Sequence, residues 1–407
     1  MQITTRLTTT SIPHYEKLKR AFSFAGAIVP AFVMMACAGG DAAEVPGRLA
    51  ATGRDSTGGG EGGDTAMAAA KPASTPPPQL SVPEGAFSEI RYTRLAIDSR
   101  SMLDSIRKKY GKTKESNEAY RAITTLNRKE FGYIRVGDTI VTPDTVIGDL
   151  RAYSVFPPRY PAADTIRKII MVSNKYQSYA CYEYGRLVRF AACNTGTERK
   201  PTFPGRYALN WKERLRISSL NDNWKLPYTW NFHLHAGNAF HQFDMPGRPV
   251  SHSCVRQFMT DAEWLFGWGE GGVRDSSGIM IPFSGTPVII VDWFDFTRKK
   301  GGPWLELTAN TEHAVQLPDN PMGVEEAWIP ISQVPVDARG GLANRQRYMV
   351  AEDTLRARGI IRPEVKLSAS INYNRIREAK ARRTARAKPK PQATAPATTS
   401  EPHVVSE

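Results

Sequence analysis

Apolar residues along this chain follow two different periods, separated and flanked by stretches with none. Between 165 and 296, runs at 166–172, 176–184 and 187–192 combine β-branched and aromatic residues with short polar breaks, which predicts strands. Gly185 falls where a tight turn would join the last two runs into a hairpin. Residues 287–291 read as a final buried strand, and 261–266 as a short helix with Thr260 as candidate N-cap. The loops between them are rich in Gly and Pro, so the expected class is mainly β with short helices. In 89–150 the period changes. Met102, Leu103, Ile106 and Tyr110 have helical spacing, with Gly111 as C-cap, and predict a small α/β module.

The flanks lack any apolar period. Residues 38–88 are dominated by Gly, Ala, Pro, Ser and Thr, cannot bury a core, and read as a flexible tether. Residues 297–374 form an extension without a usable motif. From 375 to 407 the composition predicts a basic disordered tail.

Composition bounds the class. Hydrophobic residues make up 41% and charged residues 23%, which excludes a polytopic membrane protein and a wholly disordered chain. Four cysteines are too few for a disulfide scaffold. Of the net charge of +14, much sits at Arg375, Arg377, Lys380, Arg382, Arg383, Arg386, Lys388 and Lys390. An anionic partner is therefore expected of the tail rather than of the fold. At the other end, Lys17, Lys19 and Arg20 precede a short apolar run over 21–36, the pattern of an export signal too short to span a membrane. The run ends in Val33-Met34-Met35-Ala36-Cys37, which resembles a bacterial lipobox. By that resemblance Cys37 is lipidated, and residues 1–37 give a membrane-anchored lipoprotein in the cell envelope, facing the periplasm. A plain signal peptide cut nearby, with Cys37 incidental, is the alternative.

Chemistry concentrates in His233-Leu234-His235-Ala236-Gly237 and Ser251-His252-Ser253-Cys254-Val255-Arg256, with His241 between. A thiol is mostly protonated at neutral pH and needs a base or a positive neighbour, and imidazole can serve as either. Were 252–254 a strand, His252 and Cys254 would share a face about 7 Å apart, long for direct proton transfer. His235, at the end of another predicted strand, is the better candidate base, with His252 in support. A zinc site on His233, His235 and Cys254, or a structural cysteine, remains open. Cys181 and Cys193 lie at positions that a hairpin turning near 184–185 does not pair. They are expected as two buried thiols unless the register shifts.

The combination resembles the L,D-transpeptidase catalytic domain, the YkuD family. His235, fifteen intervening residues, then Ser251, His252, Ser253, Cys254 and Arg256 fill the family pattern. Pro246-Gly247-Arg248-Pro249-Val250, Asn194-Thr195-Gly196, Pro204-Gly205-Arg206-Tyr207 and Gly285-Thr286-Pro287-Val288 add to the likeness. Ser253 departs from it, standing where the family has Gly. Residues 134–143 resemble half of a LysM repeat, with a plain α/β packing domain as the alternative. The family resemblance implies an L,D-transpeptidase-like β-sandwich and acyl transfer on peptidoglycan stem tetrapeptides through a thioester, giving 3→3 cross-links. It implies Cys254 as nucleophile, His235 as general base and acid oriented by the Ala236 carbonyl, and Ser253 and Cys254 as backbone oxyanion donors. Ser251, Gly237 and Arg256 would contact substrate, although Arg256 could equally form a surface salt bridge. Trp211, Trp224, Tyr228 and Trp230 are candidates for the groove or the core. No cofactor, metal or nucleic-acid partner is implied. A hydrolase of the same domain, or a non-catalytic wall-binding protein, are the competing readings.

Overall fold

The computed structural model describes residues 87–111 and 117–387, all within one compact unit spanning 80–407. Cys37, the export signal, most of the tether and the end of the tail lie outside the described residues. No helix among the described residues is long and apolar enough to cross a membrane.

The first elements are β1 (Tyr92–Ala96), α1 (Arg100–Tyr110), α2 (Glu118–Asn127) and β2 (Thr139–Pro143), with β1 and β2 antiparallel. Helix α1 starts where the Ser99 hydroxyl accepts from the Met102 amide at 3.3 Å, and it buries Leu103, Ile106 and Tyr110, three of the four positions its period picked out.

The rest is mainly β. Strands β3 (Ile169–Ser173), β4 (Ser178–Glu183), β5 (Arg186–Asn194), β6 (Gly205–Ala208), β7 (Lys212–Ile217), β8 (Lys225–His233), β9 (Asn238–Gln242), β10 (Val255–Gln257) and β11 (Pro287–Ile290) form one nine-stranded sheet. Its order is β6-β11-β3-β4-β5-β10-β9-β8-β7. The expected sandwich takes the form of this single sheet curled over itself. Tyr207 on the β6 edge meets Phe232 of β8 with ring centroids 5.2 Å apart, and the Asn210 amide donates to the Asn231 carbonyl.

The central hairpin follows the predicted turn. Tyr184 and Gly185 both have positive φ, 44° and 68°, as a two-residue hairpin turn matching strand twist requires. Pairing runs Glu183–Arg186 and Tyr182–Leu187, then slips by one at a bulge so that Cys181 faces Arg189. Even with the slip, Cys181 and Cys193 stay buried free thiols.

Alternate residues of β3–β5 enter two cores. Ile170, Val172, Tyr179, Cys181, Ala191 and Cys193 point into the curl, against β6, β8 and segments beyond 327. Ile169, Met171, Ala180, Tyr182 and Phe190 point outward, where Ala122, Leu126 and Tyr153 of the N-terminal part cover them. Burial on both faces explains why these strands read as continuous apolar runs. The expected boundaries at 150, 165 and 296 thus run through shared cores.

Two expectations need correction, and the extension left without a motif gains a structure. Helix α3 (Met259–Trp268) starts before Thr260, with Phe258 at its N-cap and no side-chain cap. The extension beyond 296 is ordered into short turns and helix α4 (Arg345–Ala357), which bury Val334, Leu342 and Leu355 in the inner core. Residues expected in the disordered tail form α5 (Tyr373–Ala387). There Arg377 pairs with Asp222 and the Tyr373 amide donates to the Leu220 carbonyl at 2.7 Å, so tertiary contacts decide.

Candidate active site

Strand polarity assembles the site. β8 and β9 are joined by the turn at 234–237, and β9 runs parallel to β10 with Phe240 opposite Val255. The starts of β9 and β10 therefore lie at one end of the sheet. The turn bearing His235 precedes β9, and the Ser251–Cys254 loop precedes β10. β9 thus separates β8 from β10, yet the loops converge.

The loop at 252–254 is not a strand. The Ser251 amide donates to the Thr195 carbonyl at 3.0 Å, and Ser253 then takes φ +84°. That left-handed conformation strains any residue but glycine. Two contacts hold it: Ser253 Oγ donates to Asn238 Oδ1 at 3.0 Å, and Thr202 Oγ1 donates to the Ser253 carbonyl at 3.0 Å. The serine in place of the family glycine keeps the glycine-like backbone, and its hydroxyl turns toward β9.

His235, Gly237, Ser251, His252, Cys254 and Arg256 all line one cavity of about 470 Å³. Cys254 is partly exposed there; its Sγ lies 3.9 Å from the Gly237 carbonyl oxygen and receives the Ala239 amide. Burial pushes its thiol above the usual range, with the Ala239 amide and Arg256 opposing. Burial also lowers His235 from its ordinary value, leaving a neutral base. Gly341 flanks that ring: a Cβ there would lie 3.3 Å from His235 Cε1.

The other histidines separate by environment. His233 is pushed down to about 4 by burial and then by His235. Its Nδ1 accepts the Ala236 amide at 3.1 Å while Nε2 meets the Tyr348 hydroxyl at 3.4 Å. A ring so engaged, outside the cavity, serves the turn rather than a metal or a thiol. Among the described residues no group of three or more His, Cys, Asp or Glu could hold a metal ion. His252, also at about 4 through burial, packs 5.0 Å from the Trp224 ring and lies 3.5 Å from the Tyr373 hydroxyl. His241 is buried, with Nδ1 3.0 Å from the Gln242 carbonyl.

Arg256 makes no salt bridge among the described residues; its guanidinium sits 4.5 Å over the Phe243 ring and donates to the Asp244 carbonyl at 3.2 Å. The four aromatics divide. Trp211 and Trp224 line the cavity, Trp230 is core with its N–H on the Leu265 carbonyl, and the Tyr228 hydroxyl donates to Glu263.

The sequence reading missed one wall. Pro335, Val336, Asp337 and Ala338, with Ser370, Asn372 and Arg375, close the cavity from the C-terminal extension, and Arg375 pairs with Asp337 at 3.0 Å. No local pattern marks them, because their role exists only once the chain returns to the sheet.

Residues 167–290 match the family model described as the L,D-transpeptidase catalytic domain, YkuD. That segment is an L,D-transpeptidase catalytic domain by this match. It runs from the start of β3 to the end of β11 and includes every candidate residue but Cys37. It does not reach the module at 89–150, and no comparison supports the LysM-like resemblance there. No curated protein matches the chain. Among solved structures, the chain is similar to an L,D-transpeptidase from Stackebrandtia nassauensis at 23% identity, covering 31% of this chain and 55% of that one, TM-score 0.25. It is similar to one from Mycobacterium smegmatis at 13%, covering 31% and 59%, TM-score 0.26. A third, from Xylanimonas cellulosilytica, is 20% identical over 49% of this chain and 97% of that one, TM-score 0.29. The chain thus spans just over half the length of the first two.

Proposed function

We propose that this protein is an exported cysteine L,D-transpeptidase acting on peptidoglycan stem tetrapeptides. The observation that carries the reading is the shared cavity of His235 and Cys254, within the segment that matches the family. Cys254 Sγ attacks the carbonyl of the third stem residue as His235 takes the thiol proton. The C–N bond to D-Ala breaks, His235 returns the proton to the departing amine, and a thioester remains. An acceptor amine on a neighbouring stem then attacks the thioester, loses a proton to His235, and releases the sulfur, leaving a 3→3 cross-link. Proton transfer accompanies attack, because burial keeps both groups neutral beforehand.

The amides of Ser253 and Cys254 fit an oxyanion role, since the left-handed turn at Ser253 orients the backbone at the sulfur. Arg256, which makes no salt bridge among the described residues although the Asp244 charge acts on it, suits a substrate carboxylate. Ser251 and Gly237 shape the loops around the sulfur, and His252 supports the wall. The N-terminal 37 residues would export the chain and, through Cys37, anchor it to a membrane behind a tether over 38–88.

The test is incubation of the purified protein with disaccharide tetrapeptide. Cross-linked dimer supports the reading and is abolished in Cys254→Ala. Tripeptide alone indicates a hydrolase of the same site, and no turnover by the wild type overturns the enzymatic reading. A carbapenem adduct that persists in Cys254→Ala would place the nucleophile elsewhere.

A further inference from the structure

A second cleft, of about 610 Å³, opens where the α/β module meets the sheet domain. Arg94, Lys129 and Arg135 enter it from the module, Arg248 from the approach to the Ser251–Cys254 loop, and Arg298, Lys299 and Lys300 from the chain after β11. Asp138 is the single acid lining it, and Lys129 occupies that carboxylate at 2.9 Å. Arg298 is engaged by Glu306 at 2.6 Å. Arg94, Arg135, Arg248, Lys299 and Lys300 make no ion pair among the described residues. Lys300 and Arg135 donate instead to the carbonyls of Gly137, at 3.3 Å, and Ile134, at 3.4 Å.

Buried donors accompany this charge. Trp304, 2% exposed, lines the same cleft, and its indole N–H has no acceptor; neither has Nε of Arg298. Buried donors normally find partners, and like charges brought together from three distant segments repel. Both features are relieved by one occupant, an oxyanion with several acceptor oxygens. Arginine forks match phosphate oxygens two at a time, and lysine adds point charge.

We propose that this cleft binds phosphate groups carried on an extended polyanion. One phosphate carries about −1.5 to −2 of charge, too little to balance five unpaired cations. The cleft is also of the size that holds a multi-group ligand rather than a lone ion. The inference does not rest on the proposed enzymatic reading. It moves the expected anionic contact from the tail into the fold.

The experiment is calorimetric titration of the full chain with short-chain polyphosphate at two salt concentrations. Arg248 and Lys299 are exposed, so replacing them leaves the core intact. Arg248→Ser/Lys299→Ser is expected to weaken binding about tenfold or more and to flatten its salt dependence. The control Arg382→Ser/Arg383→Ser on α5 removes the same charge and is expected to change affinity less than about twofold. Trp304→Phe keeps an aromatic six-membered ring but deletes the donor with its five-membered ring, with an expected loss of about threefold. Equal losses in the two double variants, equally tight binding of inorganic phosphate, or affinity confined to phosphatidylglycerol vesicles would overturn the proposal. An unchanged melting temperature in each variant separates lost binding from lost fold.

Discussion

In the pocket around Cys254, the thiol and the imidazoles beside it are held neutral; in the cleft beneath the α/β module, five cations stand without an ion pair among the described residues. The two hollows lie on one fold, but their walls differ. Aromatic rings and a C-terminal strap enclose the first, so desolvation dominates, raising the thiol and lowering the imidazoles. The second is walled by long side chains whose exposed heads are available to a ligand. One sheet can thus support a site that withholds charge until a substrate arrives and another that displays it constantly.

The sharpest way to break this contrast is at His235. His235→Gln should lower thioester formation by about 10²–10⁴, measured by single-turnover mass spectrometry, and leave polyphosphate affinity unchanged. Removing the strap's support should cost less. Tyr373→Ala, which frees His252 and Trp224, is expected to raise KM about tenfold with a smaller change in kcat. A pH series tests the neutral-pair premise. The base must be unprotonated, and its value lies below the ordinary imidazole range, so activity should fall only as pH drops through that lowered value. The thiol lies above its usual range, so no ionisation of Cys254 should appear near neutrality. An acid limb at or above about 6.5, or a Cys254 ionisation at or below the ordinary thiol value of about 8.5, would contradict this. The smallest effect is at Ser253. Relief of the left-handed strain, about 1–2 kcal/mol, and loss of the bond to Asn238, about 1 kcal/mol, nearly cancel in Ser253→Gly. Ser253→Ala keeps the strain and loses the bond, and should be destabilised by about 1 kcal/mol in denaturant unfolding.

How far the sequence alone reached follows from how local each signal is. The β4–β5 hairpin was legible because its apolar runs and its turn residues sit together, and the one-residue slip at Cys181 was not, since a bulge leaves no compositional trace. That His235 and Cys254 line one cavity was legible through spacing. Its route through an intervening β9 was not, because strand order is a long-range property. The backbone at Ser253 was not legible, because a hydrogen bond to Asn238 and one from Thr202 override the residue's own backbone preference. β7, Lys212–Ile217, carries charges on both faces and is almost wholly exposed, so it shows no alternation to read. The strap and α5 lack periodicity of their own and are ordered by what they touch.

Arg128 joins the two halves. It caps α2 with φ +55°, is 1% exposed, and has no carboxylate partner among the described residues. Its guanidinium donates to the carbonyls of Thr125, Leu126 and Tyr176 and lies 5.4 Å from the Phe190 ring and 5.9 Å from the Trp304 ring, while burial lowers it to about 10. A cation satisfied only by atoms drawn from both regions can be kept by neither alone. The N-terminal module is therefore no interchangeable bead on a string: it should melt with the sheet in a single calorimetric transition.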